Sequence, residues 1–375
     1  MKRRISRRDF LKVAGLGLGS LAFRTRLELP FENPKPLPQF PEGNLGRVLW
    51  LSDVMSRPTN NPVAATTTGV LYDDNIIQLG REVIGNVIGL TNQRYFETAQ
   101  GYVWASAVQL VKNLPNTPIQ AMPAGAAGFW AEVTVPYVDL ALESAPISPW
   151  IQSLQQYNYP PRLYYGQVVW IDQVIPDPGG VVYYRWNESP AGHGYGFGDI
   201  FRADGAAFKI LTEQDVAPIS PEVDPAEKKI VTDLTYQTLS CFEGTNEVYF
   251  CRISSGAEFD ATGAPVDKWA TPTGDLNTHW KIISLNMSGG GSASGYSTPA
   301  VPWDTIIHGD GIAIHGAFWH NDFGERRSHG CINVKPEDAK WIFRWTTPYI
   351  SLAQSEQRLT WPDHGTVVSV TKKTV

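Results

Sequence analysis

The sequence predicts a mainly β protein with a minor helical part. Runs rich in Val, Ile, Thr and Tyr recur along the chain, and 34 Gly and 28 Pro supply the turns that separate them. A hydrophobic content of 42% against 18% charged residues describes an ordered chain rather than a disordered one. Only one segment, Lys335 to Trp345, carries a clear helical pattern: Pro336 stands at its start, acids fill the first turn, and Ala339, Ile342 and Phe343 fall on one face. At 375 residues the chain exceeds one ordinary core, and two or three domains are expected.

The first 29 residues form a leader. Lys2, Arg3, Arg4, Arg7, Arg8 and Lys12 precede the apolar run Val13 to Phe23, which is too short for a typical membrane span. Ser6-Arg7-Arg8-Asp9-Phe10-Leu11-Lys12 resembles the twin-arginine export signal, which implies delivery to the cell envelope, periplasm or extracellular wall. No clean Ala-x-Ala site follows, so both removal of the leader and its retention as a membrane anchor stay open. The leader carries a charge of +6, which leaves −12 for the remainder. An acidic body without a basic run argues against nucleic acid as a partner.

Residues 30–45 open with five prolines between Pro30 and Glu42 and read as an extended spacer. Residues 46–125 form a first β unit, with strands expected at Arg47 to Ser52, Thr67 to Tyr72, Val83 to Leu90, Arg94 to Thr98 and Tyr102 to Ala105. Its closing Gly101-Tyr102-Val103-Trp104 resembles a bacterial SH3-type small barrel. Residues 126–222 form a second β unit, whose strongest strands are Tyr164 to Ile171 and Gly180 to Trp186 around an Asp177-Pro178-Gly179-Gly180 turn. The glycine-rich Gly192 to Gly198 follows no strand-to-helix pattern and reads as an aromatic loop, not a phosphate cradle.

Residues 228–372 form the third unit. It opens with a hairpin of Lys229 to Ser240 and Glu247 to Ser254, continues with strands at Trp280 to Leu285 and Gly311 to His315, and closes on Thr366 to Val370. Cys241 and Cys251 flank the hairpin and either pair as a disulfide or sit as buried small hydrophobes. On both readings Cys331 is the odd thiol.

Cys331 lies in Ser328-His329-Gly330-Cys331-Ile332-Asn333, with His315 sixteen residues upstream. A free thiol near its reference pKa of about 8.5 is mostly protonated at neutral pH, so a nearby imidazole is needed to take the proton and return it to a leaving amine. Gly330 lets the backbone approach a substrate closely, and N–H groups around residues 329–331 suit an oxyanion. A metal site is the competing reading, because His308, His315, His320, His329 and Cys331 cluster in sequence, but His-x-Cys is not a common zinc-ligand spacing.

These residues resemble the His-Gly, Gly and Ser-His-Gly-Cys-x-Asn/Arg pattern of the L,D-transpeptidase (YkuD) family, through His315-Gly316, Gly324 and Ser328 to Asn333. The Asp233-Leu234-x-x-Gln237-Thr238-Leu239 core and the Thr271-Pro272-Thr273-Gly274 turn extend the resemblance across about residues 228–372. It implies a YkuD-type β-sandwich, no cofactor, and peptidoglycan stem peptides as partners. Cys331 is then the nucleophile that forms a thioester from a stem tetrapeptide and passes it to an amine, in 3,3-crosslinking or protein attachment. His315 is the proton donor and acceptor, His329 orients the motif, Gly330 supplies oxyanion backbone, and Ser328 braces the turn. Asn333 stands where many members have Arg, so Arg327 or Arg326 is expected to meet the substrate carboxylate. The Gly-rich stretch from Gly289 to Trp303 matches the family's lid in position and offers Tyr296 and Trp303 as substrate contacts. Two other outcomes keep their place: an L,D-carboxypeptidase or hydrolase using the same site, and a non-catalytic cell-wall binding protein.

Overall fold

The computed structural model describes residues 34–189, 193–259, 263–289, 296–360 and 362–373. The leader lies outside the described residues. The fold is mainly β, as expected, and the chain builds three groups of sheets.

In the first, Leu45–Val48 pairs with Ile76–Gln78 and Val108–Val111, and a second sheet orders Thr67–Leu71, Ser52–Met55, Gly101–Trp104, Arg94–Thr98 and Glu82–Ile84. Leu79, Phe96, Val103 and Val108 fill the space between them. The single run expected at Arg47 to Ser52 is divided between Leu45–Val48 and Ser52–Met55, so the chain changes sheets there.

A six-stranded antiparallel sheet dominates the second group. Its strand Val168–Pro176 runs between Phe129–Val133 and Val182–Asn187. Gly166 at φ 86 ends the run expected from Tyr164, because that left-handed conformation is natural for glycine and breaks a ladder. A helix at Pro149–Gln156 escaped the sequence reading. It is only two turns long, and just Trp150 and Ile151 are buried. The proline-rich segment is not a free spacer: Leu37 N–H donates to Asp204 Oδ2 at 2.7 Å, and the Phe40 ring meets Tyr137 edge-on at 5.0 Å. His193 from the glycine-rich loop stacks on Trp170 at 3.9 Å.

The third group is a sandwich of two five-stranded sheets. One orders Asn246–Arg252, Thr238–Glu243, Lys228–Asp233, Val367–Thr371 and Gly274–Asn277; the other orders Ile332–Val334, Ala313–Gly316, Tyr296–Ile306, Trp280–Gly289 and Glu356–Arg358. The run read as one strand from Lys229 to Ser240 is two, joined by a turn in which Asp233 Oδ1 accepts the Thr235 and Tyr236 N–H groups and Gln237 sits at φ 54. Cys241 and Cys251 are free and buried, and the register opposes Cys241 to Tyr249 and Cys251 to Leu239, so the pair is offset and not bridged.

Helix Pro336–Trp345 buries Ala339, Ile342, Phe343 and Trp345 against Ile283, Trp303 and Ile314, with each large apolar side chain contributing roughly 1.5–3 kcal/mol. Its C-terminal carbonyls are met by two buried lysine side chains. Lys281 reaches Phe343 O and Thr346 O, and Lys228 reaches Trp345 O at 3.2 Å, which suits the negative end of a helix.

Candidate active site

The parallel pair Ala313–Gly316 and Ile332–Val334 sets the site, with His315 directly opposite Asn333 and Cys331 one residue before the second strand. Opposed residues share a face, and side chains two apart on a strand do too. His315, Asn333 and Cys331 therefore stand on the face that also carries Ile282, Ile306 and Ala313. The opposite face feeds the core beneath the helix.

The motif turn is held from several sides. Ser328 Oγ donates to Cys331 O at 2.5 Å and accepts Gly330 N–H at 3.1 Å, so this serine closes the turn on itself. Gly330 has φ +123, and a Cβ there would lie 2.6 Å from Ile312 Cδ1, so the position demands glycine. Thr271 Oγ donates to Gly330 O at 2.8 Å and accepts Gly256 N–H at 2.9 Å. Ser254 and Asn333 exchange backbone bonds, and Ser255 O receives both the Arg327 and Ser328 N–H groups. Gln237 in turn fixes Ser255, accepting its N–H at 2.8 Å and donating to its hydroxyl at 2.7 Å. Two sequence landmarks far from the cysteine thus position it: Thr271 directly and Gln237 through one strand.

Thr271→Val should fold yet lose about 1–3 kcal/mol, because Gly330 O and Gly256 N–H would be left buried without their partner. Urea denaturation of the two proteins measures this loss.

The thiol of Cys331 is partly exposed and donates toward Gly311 O at 3.9 Å. Burial pushes it up to about 11; the Ala313 backbone opposes this and Asp304 adds to it. His315 is 2% exposed, and burial pulls it down to about 4, partly offset by the Gly316 backbone. Its ring lies 5.7 Å from Trp319, and Nδ1 is buried without a hydrogen bond among the described residues. At neutral pH the resting pair is neutral thiol and neutral imidazole. A group whose pKa is raised stays protonated until the pH climbs to it, so alkylation of Cys331 by iodoacetamide should be slow at pH 7 and accelerate toward pH 11. A rate already maximal at pH 6 would indicate a preformed thiolate instead.

His329 lies between two rings, 4.5 Å from Trp269 and 5.0 Å from Tyr296. Burial lowers its pKa, and Lys268 lowers it further. Tyr296 stands near the thiol; burial, with a smaller contribution from Cys331, pushes its phenol up to about 12. It lies at the start of strand Tyr296–Ile306, so the stretch read as a lid is a strand from Tyr296 onward. Residues 290–295 of that stretch lie outside the described residues.

Three expected contacts are corrected. Trp303 is 0% exposed and meets Phe343 edge-on at 5.4 Å, so it belongs to the core and not to a substrate surface. Arg327 pairs with Asp322 and lies over Trp50, while Arg326 pairs with Glu258 at 2.9 Å and donates to Leu234 O, so both are engaged in holding loops. The Gly330 N–H is taken by Ser328; those of His329 and Cys331 have no partner among the described residues.

His320, one of the histidines clustered in sequence around the motif, is 2% exposed and lies 2.8 Å from the Asn333 amide. Its Nδ1 accepts Asp322 N–H at 3.2 Å, and its Nε2 is the atom beside Asn333 Nδ2. Among the described residues no three His, Cys, Asp or Glu side chains are grouped to hold a metal. Asp304, which no sequence signal singled out, is buried on the active-site face beside these residues.

Fold and site together define a β-sandwich domain centred on one cysteine. Residues 227–370 match the YkuD family model, described as the L,D-transpeptidase catalytic domain, and this similarity supports an enzymatic function of that kind. No curated protein matches the chain. Among solved structures, an L,D-transpeptidase of Enterococcus faecium is 24% identical over 39% of this chain and 50% of that one, with a TM-score of 0.29. One from Xylanimonas cellulosilytica is 21% identical over 38% and 60%, with a TM-score of 0.26. One from Mycobacterium smegmatis is 16% identical over 68% and 100%, with a TM-score of 0.30. The chain spans half the length of the Enterococcus faecium structure, and these scores add nothing to the family match.

Proposed function

We propose that the protein is a peptidoglycan L,D-transpeptidase in which Cys331 attacks the carbonyl preceding the terminal D-residue of a stem tetrapeptide. As the carbon–sulfur bond forms, the thiol proton passes to neutral His315, which returns it to the departing amine. The N–H groups of Cys331 and His329 receive the oxyanion, and Tyr296 and His329 border the entering peptide. A second amine then takes the acyl group from the thioester. The observation that carries this reading is the partly exposed thiol of Cys331 on one face with a buried neutral imidazole, inside the segment matched to the family.

The leader supports export to the cell envelope, where this substrate lies, and its retention would anchor the enzyme at the membrane. The first β unit keeps its reading as an SH3-type module. A cleft of about 540 Å³ bordered by Asp53, Asn60, Leu90, Tyr95 and Trp104 gives that unit room for an extended peptide.

Incubation with a disaccharide-tetrapeptide tests the reaction. Loss of the terminal D-residue together with a 3,3-crosslinked dimer is the expected result; release of tripeptide alone would identify a carboxypeptidase. Muropeptide binding without either product would leave only the binding-protein reading.

A further inference from the structure

The five-stranded sheet of the first β unit turns Phe96 and Val103 into the core, and Val54 is fully buried with them. By strand alternation their neighbours Tyr95 and Trp104, which oppose each other, take the outer face together with Asp53 and Met55. Strand Ser52–Met55 meets Gly101–Trp104 at one residue pair only, Met55 with Tyr102, so the sheet opens between Asp53 and Trp104. Segments 60–67 and 87–90 complete the walls of a cleft of about 540 Å³, the size of a site for a small ligand or a short peptide. Tyr95 lines it and is 2% exposed, yet its hydroxyl has no hydrogen-bond partner among the described residues. A buried hydroxyl left so is costly, and a ligand acceptor would relieve it. Burial pushes this phenol up to about 12, so at neutral pH it keeps a proton to donate. Asp53 is exposed, is the one charged side chain lining the cleft, and pairs with no cation among the described residues. Trp104 donates its Nε1–H to Asn92 O at 2.9 Å, which fixes the indole in the wall.

We propose that this cleft is a second peptide site, built for an extended peptide that bears one free primary ammonium: Asp53 pairs with the ammonium, Trp104 packs against its alkyl stem, and Tyr95 donates to a peptide carbonyl. A carboxylate and an indole in one cleft suit an ammonium, which gains from the ion pair and from the ring. Met55, Val87 and Leu90 suit the aliphatic part of the same ligand. For the identity of the peptide this rests on the reaction proposed above, because a stem whose side-chain amine is still free, the acceptor of the second step, has this chemistry. No bond forms or breaks in the cleft; it holds uncrosslinked stems while Cys331 acts. Its wall also reaches the catalytic loop. Asn92, which fixes Trp104, gives its N–H to Glu325 Oε1 at 2.8 Å, and Glu325 lies between His315 and Cys331 in the chain.

The test uses the full chain with Cys331→Ala, which leaves the ligand intact, labelled with ¹⁵N-tryptophan; Trp104→Phe assigns the Trp104 indole resonance. Titration with a disaccharide-tetrapeptide whose side-chain amine is free is expected to shift that resonance. Acetylation of the amine should weaken binding at Trp104 about 10-fold, and Asp53→Asn should weaken binding of the free-amine compound about fivefold. Tyr95→Phe should weaken it about three- to tenfold and leave the denaturation midpoint in place, since its hydroxyl serves no other group of the described residues. A resonance that never moves would overturn the proposal. So would equal binding of the acetylated compound, an unaltered affinity in Asp53→Asn, or an equal shift caused by the peptide-free disaccharide. The reaction is scored separately on the wild-type protein. Turnover without a shift at Trp104 keeps the reaction and removes this site; a shift at Trp104 without turnover keeps the site while the reaction falls.

Discussion

Cys331→Ala is expected to form no acyl-enzyme at all, and His315→Ala to form it about 10²–10⁴-fold more slowly. The two losses differ in kind. Removing the sulfur removes the atom that bonds to substrate; removing the imidazole leaves a thiol whose burial holds it up at about 11 and which nothing deprotonates near neutrality. The pH dependence follows from His315, whose folded pKa is depressed to about 4. A base must be neutral to accept a proton, so acylation should persist through mildly acidic pH and fall only as pH drops through about 4. Rapid-quench measurement of the adduct between pH 3 and 8 gives that limb. A fall centred near 6.5, the ordinary histidine value, would mean that the ring is solvated rather than buried.

The second large effect concerns the loop between His315 and Cys331, which the first β unit holds. Asn321 Nδ2 donates to Ala105 O at 3.0 Å and Val108 O at 2.8 Å; Arg47 donates to Phe318 O at 2.7 Å; Glu325 accepts the N–H groups of Thr91 and Asn92. Asn321 is 4% exposed, so Asn321→Ala leaves Val108 O buried without this donor, while Ala105 O keeps the Val108 N–H. The expected cost is about 1–3 kcal/mol, the penalty of one buried acceptor left unsatisfied. Because the same loop carries His320, which orients Asn333, acylation should weaken along with stability. Denaturation midpoints and acylation rates of this variant measure both. An unchanged midpoint would show that the two units are not coupled through this contact.

The motif was legible because its chemistry is local: a thiol, two imidazoles and a glycine within a short span state their purpose without any tertiary contact. The helix at Pro336–Trp345 was legible for the same reason, since its proline, acids and apolar face all repeat within a few turns. Gln237 and Thr271 could be seen only as landmarks of a resemblance. Their work depends on Ser255 and Gly330, which are distant in sequence.

Trp303 was misread because Gly, Ser and Pro around it mask the strand that carries it into the core. Arg326 and Arg327 looked available because their partners Glu258 and Asp322 follow no helical or strand-pair spacing. Asp304 gave no signal, since a single aspartate in an apolar strand gains meaning only when the fold buries it near Cys331. The expected export signal, by contrast, rests on the sequence of residues 1–29 alone.

The thioester is the central claim, and mass analysis of the protein after brief exposure to a disaccharide-tetrapeptide tests it most directly. The account predicts a covalent adduct of the substrate less its terminal D-residue, mapped to the peptide that contains Cys331 and absent from Cys331→Ala. Turnover of the tetrapeptide by Cys331→Ala, or an adduct on any other residue, would contradict it.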